Sequence, residues 1–180
     1  ILRVRTYHYK GEVVNTPSFE LELKEELPLD VTDSEEEISI KSGELTLVIT
    51  KKNWSMTYYR NGEMITRSAG RDLALMKTDF KGFAYNDTDA EETYMRQMLS
   101  LSVGELVYGT GERFTPFVKN GQSIDIWNAD GGTSTEQSYK NIPFFITNKG
   151  YGVLVNHPEK VSIEVATEMV TRTEFSVPGG

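Results

Sequence analysis

The sequence contains no cysteine and only two histidines, His8 and His157, in 180 residues. Disulfides and thiolate metal sites are thereby excluded, and a structural zinc site is poorly supplied, so neither a metal nor a cofactor is expected. Basic residues are also in deficit: 19 Lys and Arg against 27 Asp and Glu leave a formal net charge of −8. The cations are scattered rather than clustered, which leaves no electrostatic footprint for a phosphate backbone, and nucleic acid is not an expected partner. No apolar run approaches the length of a membrane span, and no basic stretch followed by an apolar one opens the chain. A membrane is therefore not an expected partner, and the absence of cysteine fits a cytoplasmic location. Repeats, heptads and low-complexity tracts are lacking as well. The length suffices for one sizeable core, so a single domain over 1–180 is expected. Ile1 in place of an initiator Met, and an end at Gly180 just past a strand-like run, point to a piece of a larger protein, from which a leader could have been removed.

What the chain does contain is short alternating segments separated by turn residues. Leu2 to Tyr9 and Phe19 to Lys24 alternate apolar and polar residues as half-buried strands do. The acidic run Asp30 to Glu37 should be a solvated surface loop, since like charges repel. Ile38 to Lys41 and Glu44 to Thr50 read as a hairpin about a Ser-Gly turn. Trp54 to Arg60 and Glu63 to Arg67 form a second about Asn61-Gly62, whose two residues suit the positive φ angles of a type I′ turn, so its register should be firm. Trp54, Tyr58 and Tyr59 are expected to pack across those strands. Ser68 to Glu92 reads mostly as loop, with Asp72 to Lys77 the one stretch able to form a helical turn, whereas Thr93 to Leu101 inclines to strand. Pro143 to Thr147 and Tyr151 to Asn156 form another hairpin about Asn148-Lys149-Gly150, followed by Val161 to Ala166 and Thr171 to Val177. More than ten short strands indicate an all-β sandwich.

Glycines, aromatics and polar residues concentrate between Val107 and Tyr151. Ser123 to Trp127 should be a strand with Ile124 and Ile126 on one face and Asp125 and Trp127 on the other. It leads into the loop Asn128-Ala129-Asp130-Gly131-Gly132. An indole beside a carboxylate suits a sugar, the ring covering apolar C–H surface and the carboxylate accepting hydroxyl hydrogen bonds. Taken alone, the residues favour core packing for Trp127 and a turn role for Asp130. Gly109 to Phe114 begins like a dinucleotide fingerprint but has Phe114 where the third glycine belongs. Serine elbows and zinc-binding helices are absent. Asp125 and Asp130 are the only nearby carboxyl pair beside aromatics, with nothing to separate their pKa values as glycoside hydrolysis requires. His157 reads as a turn residue.

The runs VYGTGERF, from Val107 to Phe114, and DIWNADGGTSTEQSYKNIPFFITNKGYGVLVNHP, from Asp125 to Pro158, resemble the N-terminal β-sandwich of glycoside hydrolase family 31, and within it the bacterial α-xylosidases. The Trp-Asn-x-Asp-Gly-Gly and Tyr-Lys-x-Ile-Pro-Phe elements carry most of the likeness, which spans Tyr94 to Val177. A weaker collinear match covers Phe19 to Arg67. The resemblance implies a galactose-mutarotase-like β-sandwich of many short antiparallel strands, packed on a C-terminal catalytic (β/α)8 barrel that this chain does not include. Both catalytic aspartates of the family belong to that barrel, so no catalytic residue is expected here and the chain alone should be inactive. The implied substrate is an α-xyloside or α-glucoside oligosaccharide, and whether the parent is a homo-oligomer is left open. The family's sandwich sends one loop to the sugar, and the matching position is Asp130, with Trp127, Asn128 and Gly131 shaping the loop. On this resemblance Asp130 becomes a sugar contact rather than a turn residue. Glu112 and Arg113 are assigned to an internal ion pair that holds the base of the loop. The rival readings are a free-standing carbohydrate-binding module and a free-standing mutarotase, the latter lacking convincing catalytic His and Glu residues.

Overall fold

The protein was analysed as a computed structural model that describes residues 1–12, 18–21, 27–78, 92–129 and 136–179. Among these residues there is no helix, and thirteen strands form three antiparallel sheets. The first sheet is a five-stranded meander in sequence order: β1 (Asp30–Asp33), β2 (Glu37–Ser42), β3 (Leu45–Thr50), β4 (Ser55–Arg60) and β5 (Glu63–Ser68). The second runs β6 (Leu73–Thr78), β7 (Glu92–Ser100), β13 (Arg172–Pro178), β12 (Val161–Val165), β9 (Gln122–Ile126). The third is small, with β10 (Lys140–Thr147) between β8 (Val107–Glu112) and β11 (Gly152–Leu154).

Period-2 alternation decides which side chains meet. Val161, Ile163 and Val165 on β12, Ile124 and Ile126 on β9, and Leu99 on β7 point inward from the second sheet. They meet Val107 of β8 and Phe145 of β10 to form one core, with Tyr58 of the meander packed against it. Phe145 is wholly buried, a burial that contributes about 2–3 kcal/mol. The meander joins the second sheet where β5 lies beside β7, the Thr66 hydroxyl donating to the Ser100 carbonyl at 2.9 Å.

The expected hairpins form. Asn61 and Gly62 have φ of 50° and 83°, as a type I′ turn requires. The β4–β5 register is single and defined, with a bulge between Tyr58 and Tyr59. Other expectations are corrected. Leu2 to Tyr9 forms no strand, and Val4, Tyr7 and Tyr9 stay exposed, because alternation yields a strand only where a partner strand is at hand. Phe19 to Leu21 is likewise outside any strand, and Leu23 and Lys24 lie outside the described residues. The acidic run is exposed as expected, but Asp30–Asp33 pairs with β2 as an edge strand, where its charges discourage further pairing. Asp72 to Lys77 is neither loop nor helical turn: Leu73–Thr78 is a strand paired with β7. Trp54 sits in the turn before β4 with φ 35° and an exposed ring, not across the sheet.

Candidate functional site

The described chain on either side of residues 130–135 is held in place by a dense polar clamp. β9 belongs to the second sheet and β10 to the third, so the chain passes from one sheet to the other between Ile126 and Lys140. Among the described residues this connection carries a single β-bridge, between Asn128 and Ser138, so the Trp127 and Glu136 carbonyls take their donors from side chains. Two side chains supply them.

The first is Arg113, just beyond β8. Its Nη2 donates to the Asp125 carbonyl and to the Asn141 Oδ1, its Nη1 to the Glu136 carbonyl at 3.2 Å, and its Nε to the Thr110 carbonyl at 3.4 Å. A planar guanidinium with five donors suits four acceptors, one each on β8, β9 and β10 and the fourth at Glu136 before β10. Burial pulls its pKa below the usual arginine value, with the Glu136 and Asp125 carboxylates acting in the opposite sense. The second is Asn141, near the start of β10. Its Nδ2 donates to the Ser138 carbonyl at 2.6 Å and the Trp127 carbonyl at 2.9 Å. Its backbone N–H donates to the Asn128 Oδ1 at 2.9 Å. Ser138 completes the arrangement: its hydroxyl donates to the Glu112 carbonyl, and its own carbonyl accepts from the Ala129 N–H at 3.0 Å.

Close strand approach brings these groups into reach. Gly109 and Gly111 have φ of 111° and 94°, and a Cβ on Gly111 would lie 2.1 Å from the Lys140 carbonyl oxygen. The pair resembling a dinucleotide fingerprint therefore serves the backbone contact between β8 and β10. Nearby, buried Lys119 donates to the Thr115 hydroxyl at 3.0 Å and the Pro116 carbonyl at 2.8 Å, its pKa pulled down by burial and by Arg113. Between this loop and the clamp lies an open groove of about 380 Å³, lined by Arg113, Thr115, Pro116, Gln122, Ser123, Ile124 and Glu136.

The expected site residues fall as follows. Ile124 and Ile126 point inward and Asp125 and Trp127 outward, as alternation requires. Trp127 is 59% exposed, so its indole is not a core residue. The Asn128 side-chain oxygen is engaged by Asn141, which ties this residue to the clamp. Asp130 and Gly131 lie outside the described residues. The Asp125 carboxylate pairs with Lys160 at 2.7 Å. The expected Glu112–Arg113 ion pair is replaced: Glu112 pairs with Lys140 at 2.6 Å, directly opposite on β10, while Arg113 turns to carbonyl oxygens. His157 lies past β11, where its Nδ1 accepts from the Glu159 N–H at 3.3 Å. Among the described residues no group of His, Asp or Glu is placed to hold a metal ion.

Asn141 and Ser138 are the residues that sequence reasoning passed over. Asn141 is the position taken as variable in Tyr-Lys-x-Ile-Pro-Phe. An amide just ahead of the apolar run Ile142 to Ile146 was the available signal, since asparagine is depleted in strands unless its side chain bonds backbone.

The described residues form an all-β architecture of antiparallel sheets. The model of the glycosyl hydrolase 31 N-terminal galactose mutarotase-like domain matches residues 1–164, and the chain belongs to that family. An α-xylosidase of Lactiplantibacillus pentosus, XylQ, is 41% identical over 165 residues, covering 91% of this chain and 20% of the relative. An α-xylosidase of Emericella nidulans is 40% identical over 196 residues, covering 99% of this chain and 24% of the relative. The chain thus spans about a fifth to a quarter of the curated relatives it matches. The fold is shared with a cycloalternan-forming enzyme from Listeria monocytogenes in complex with a pentasaccharide substrate. That likeness has a TM-score of 0.71 and 20% identity, over 84% of this chain and 14% of that one. A GH31 α-xylosidase from a soil metagenome, complexed with xylose, gives a TM-score of 0.65 at 17% identity over 93% of this chain and 25% of that one.

Proposed function

We propose that this chain is the N-terminal domain of a retaining α-glycosidase of the α-xylosidase type, and that its loop around Asp130 forms one wall of the sugar site. The observation that carries the reading is the clamp of Arg113, Asn141 and Ser138, which fixes both ends of that loop. The carbonyls on the two sides of the loop, Trp127 before it and Glu136 and Ser138 after it, are thereby tied to Arg113 and Asn141, an arrangement that suits a loop held for a ligand. The two α-xylosidases at 41% and 40% identity supply the reaction class, and they favour it over a free-standing binding module.

In this reading the two catalytic carboxyl groups belong to the barrel of the longer enzyme. The sandwich contributes binding: the Asp130 carboxylate accepts hydrogen bonds from sugar hydroxyls, and the exposed Trp127 indole, three residues earlier in sequence, offers an apolar face. Asn128 and Gly131 shape the loop. A hydrogen bond from hydroxyl to a charged acceptor strengthens transition-state binding only if the acceptor is held where the sugar settles. That is the work assigned to the clamp.

The test is kcat/KM on aryl α-xyloside and aryl α-glucoside for the longer enzyme and its Asp130→Ala variant. Loss of one such hydrogen bond should cost about 2–3 kcal/mol, roughly a 30- to 150-fold fall. An unchanged variant returns Asp130 to a turn role, and the ratio between the two substrates identifies the preferred sugar.

A further inference from the structure

A strand with one face on the core and one in water should alternate apolar and polar residues, and β12 does so with Ser162 and Glu164 turned away from Val161, Ile163 and Val165. β10 does not. Pro143, Phe145 and Thr147 are buried, while Ile142, Phe144 and Ile146 point the other way and are apolar too. Pairing extends the outward set: Leu154 of β11 lies opposite Phe144, and Tyr108 of β8 lies opposite Ile146. The Tyr108 ring packs on Phe117 with centroids 5.2 Å apart. The exposures of Ile142, Phe144, Ile146, Leu154 and Phe117 run from 39% to 78%, and this apolar strip is bordered at the start of β10 by the exposed Lys140–Glu112 ion pair. A strand apolar on both faces is the pattern of a strand covered on both faces.

We propose that the outer face of the β8–β10–β11 sheet is the surface on which the catalytic domain of the longer enzyme docks. The inference rests on the functional reading above and adds to it the face and the residues. Two observations select this occupant over a second copy of the chain. Some three-quarters or more of the length of the curated relatives lies outside the matched region, and the family model describes an N-terminal domain, so a large further body of polypeptide is at hand. The strip also begins at Ile142, the residue after Asn141, which holds the loop assigned to the sugar. A domain close enough to receive that loop is within reach of the strip, and docking there would set the loop's depth in the sugar site.

The test places a benzophenone photo-cross-linker at position 146, and separately at Leu154 on the rim, in the full-length enzyme. Met64 of the meander, exposed at 60%, serves as control. Irradiation followed by peptide mapping should join 146 and 154 to peptides C-terminal to Gly180, at least tenfold above the control position. Cross-links between two copies of the chain would overturn the proposal in favour of self-association. Yields equal to the control at both positions would overturn it in favour of a free surface. A full-length enzyme that cross-links as expected but hydrolyses neither aryl glycoside would sink the functional reading and leave the interface standing.

Discussion

The meander of β1 to β5 and the β8–β10 pair use the same alternating strands, but different contacts set their geometry. In the meander each strand pairs with its neighbour in sequence, and the turns between them carry their own instructions, such as Asn61-Gly62. In the β8–β10 pair Glu112 faces Lys140 and Gly111 faces Asn141, residues far apart along the chain, and the approach is set by missing side chains and by Arg113. A locally encoded hairpin tolerates error because its turn re-forms it. A long-range pair held by backbone proximity has no such safeguard, so substitutions there should cost more than matched ones in the meander.

The largest expected difference is between two glycines. Gly111→Ala sets a Cβ against the Lys140 carbonyl at 2.1 Å on a backbone with φ 94°, whereas Gly62→Ala, at φ 83°, meets nothing within 4 Å. The first should cost roughly 4 kcal/mol from clash and strain together. The second should cost about 1–2 kcal/mol for a left-handed residue alone. Urea denaturation midpoints measure both, and equal losses would break the comparison.

Next in size is a pair of arginines. Arg113→Ala strands the Asp125 and Glu136 carbonyls and the Asn141 amide, at an expected cost of about 2–3 kcal/mol. Amide hydrogen exchange between Asn128 and Ser138 should rise with it. Arg113→Lys should recover little, because an ammonium cannot span the fork that a guanidinium fills. Arg60→Ala removes an exposed pair with Glu44 at 3.0 Å in the meander and should change stability by less than about 1 kcal/mol. A lysine that restored the clamp would mean that its charge matters and its shape does not.

The same contrast explains what could be read in advance. The strands from Ile38 to Arg67 and from Pro143 to Val177 were legible because alternation and turn residues lie within a few positions of each other. Ile124 and Trp127 were placed on opposite faces by the same rule. Leu2 to Tyr9 alternates equally well and forms no strand, since nothing local says whether a partner will arrive. Leu73–Thr78 was missed for the reverse reason: its run of Leu, Ala, Leu and Met is ordinary in a helix, and pairing with β7 overrides that preference. At the site, Asn128 was legible as a loop residue, whereas Trp127, read from the residues alone as a core residue at the strand's end, is exposed; a structural role for Arg113 was legible too, but not its partners. An arginine beside a glutamate reads as an ion pair. Only the fold shows that Glu112 finds Lys140 across the ladder and that Arg113 faces carbonyls.

The smallest expected effect sets two tyrosines against each other and depends on pH. Burial raises the pKa of Tyr58 in the meander, where its hydroxyl reaches the Met56 sulfur at 3.9 Å. Tyr151, just before β11, is raised well above the usual tyrosine range by burial and then by the hydrogen bond it donates to the buried Glu105 carboxylate at 2.6 Å. An unfolded tyrosine ionises near pH 10. Above that pH the unfolded chain binds fewer protons than the folded one, so stability falls as pH rises, while the contribution is present in full below it. Tyr151→Phe should flatten that alkaline fall and also cost about 1–2 kcal/mol at neutral pH, since Glu105 loses a donor. Tyr58→Phe should flatten the fall less and cost under about 1 kcal/mol at neutral pH, because a weak contact to sulfur is all it gives up. Urea unfolding of both variants between pH 7 and 11 tests this. A larger neutral-pH loss at Tyr58 than at Tyr151 would show that the meander, and not the polar bonding around β8 to β11, is the more demanding part of the molecule.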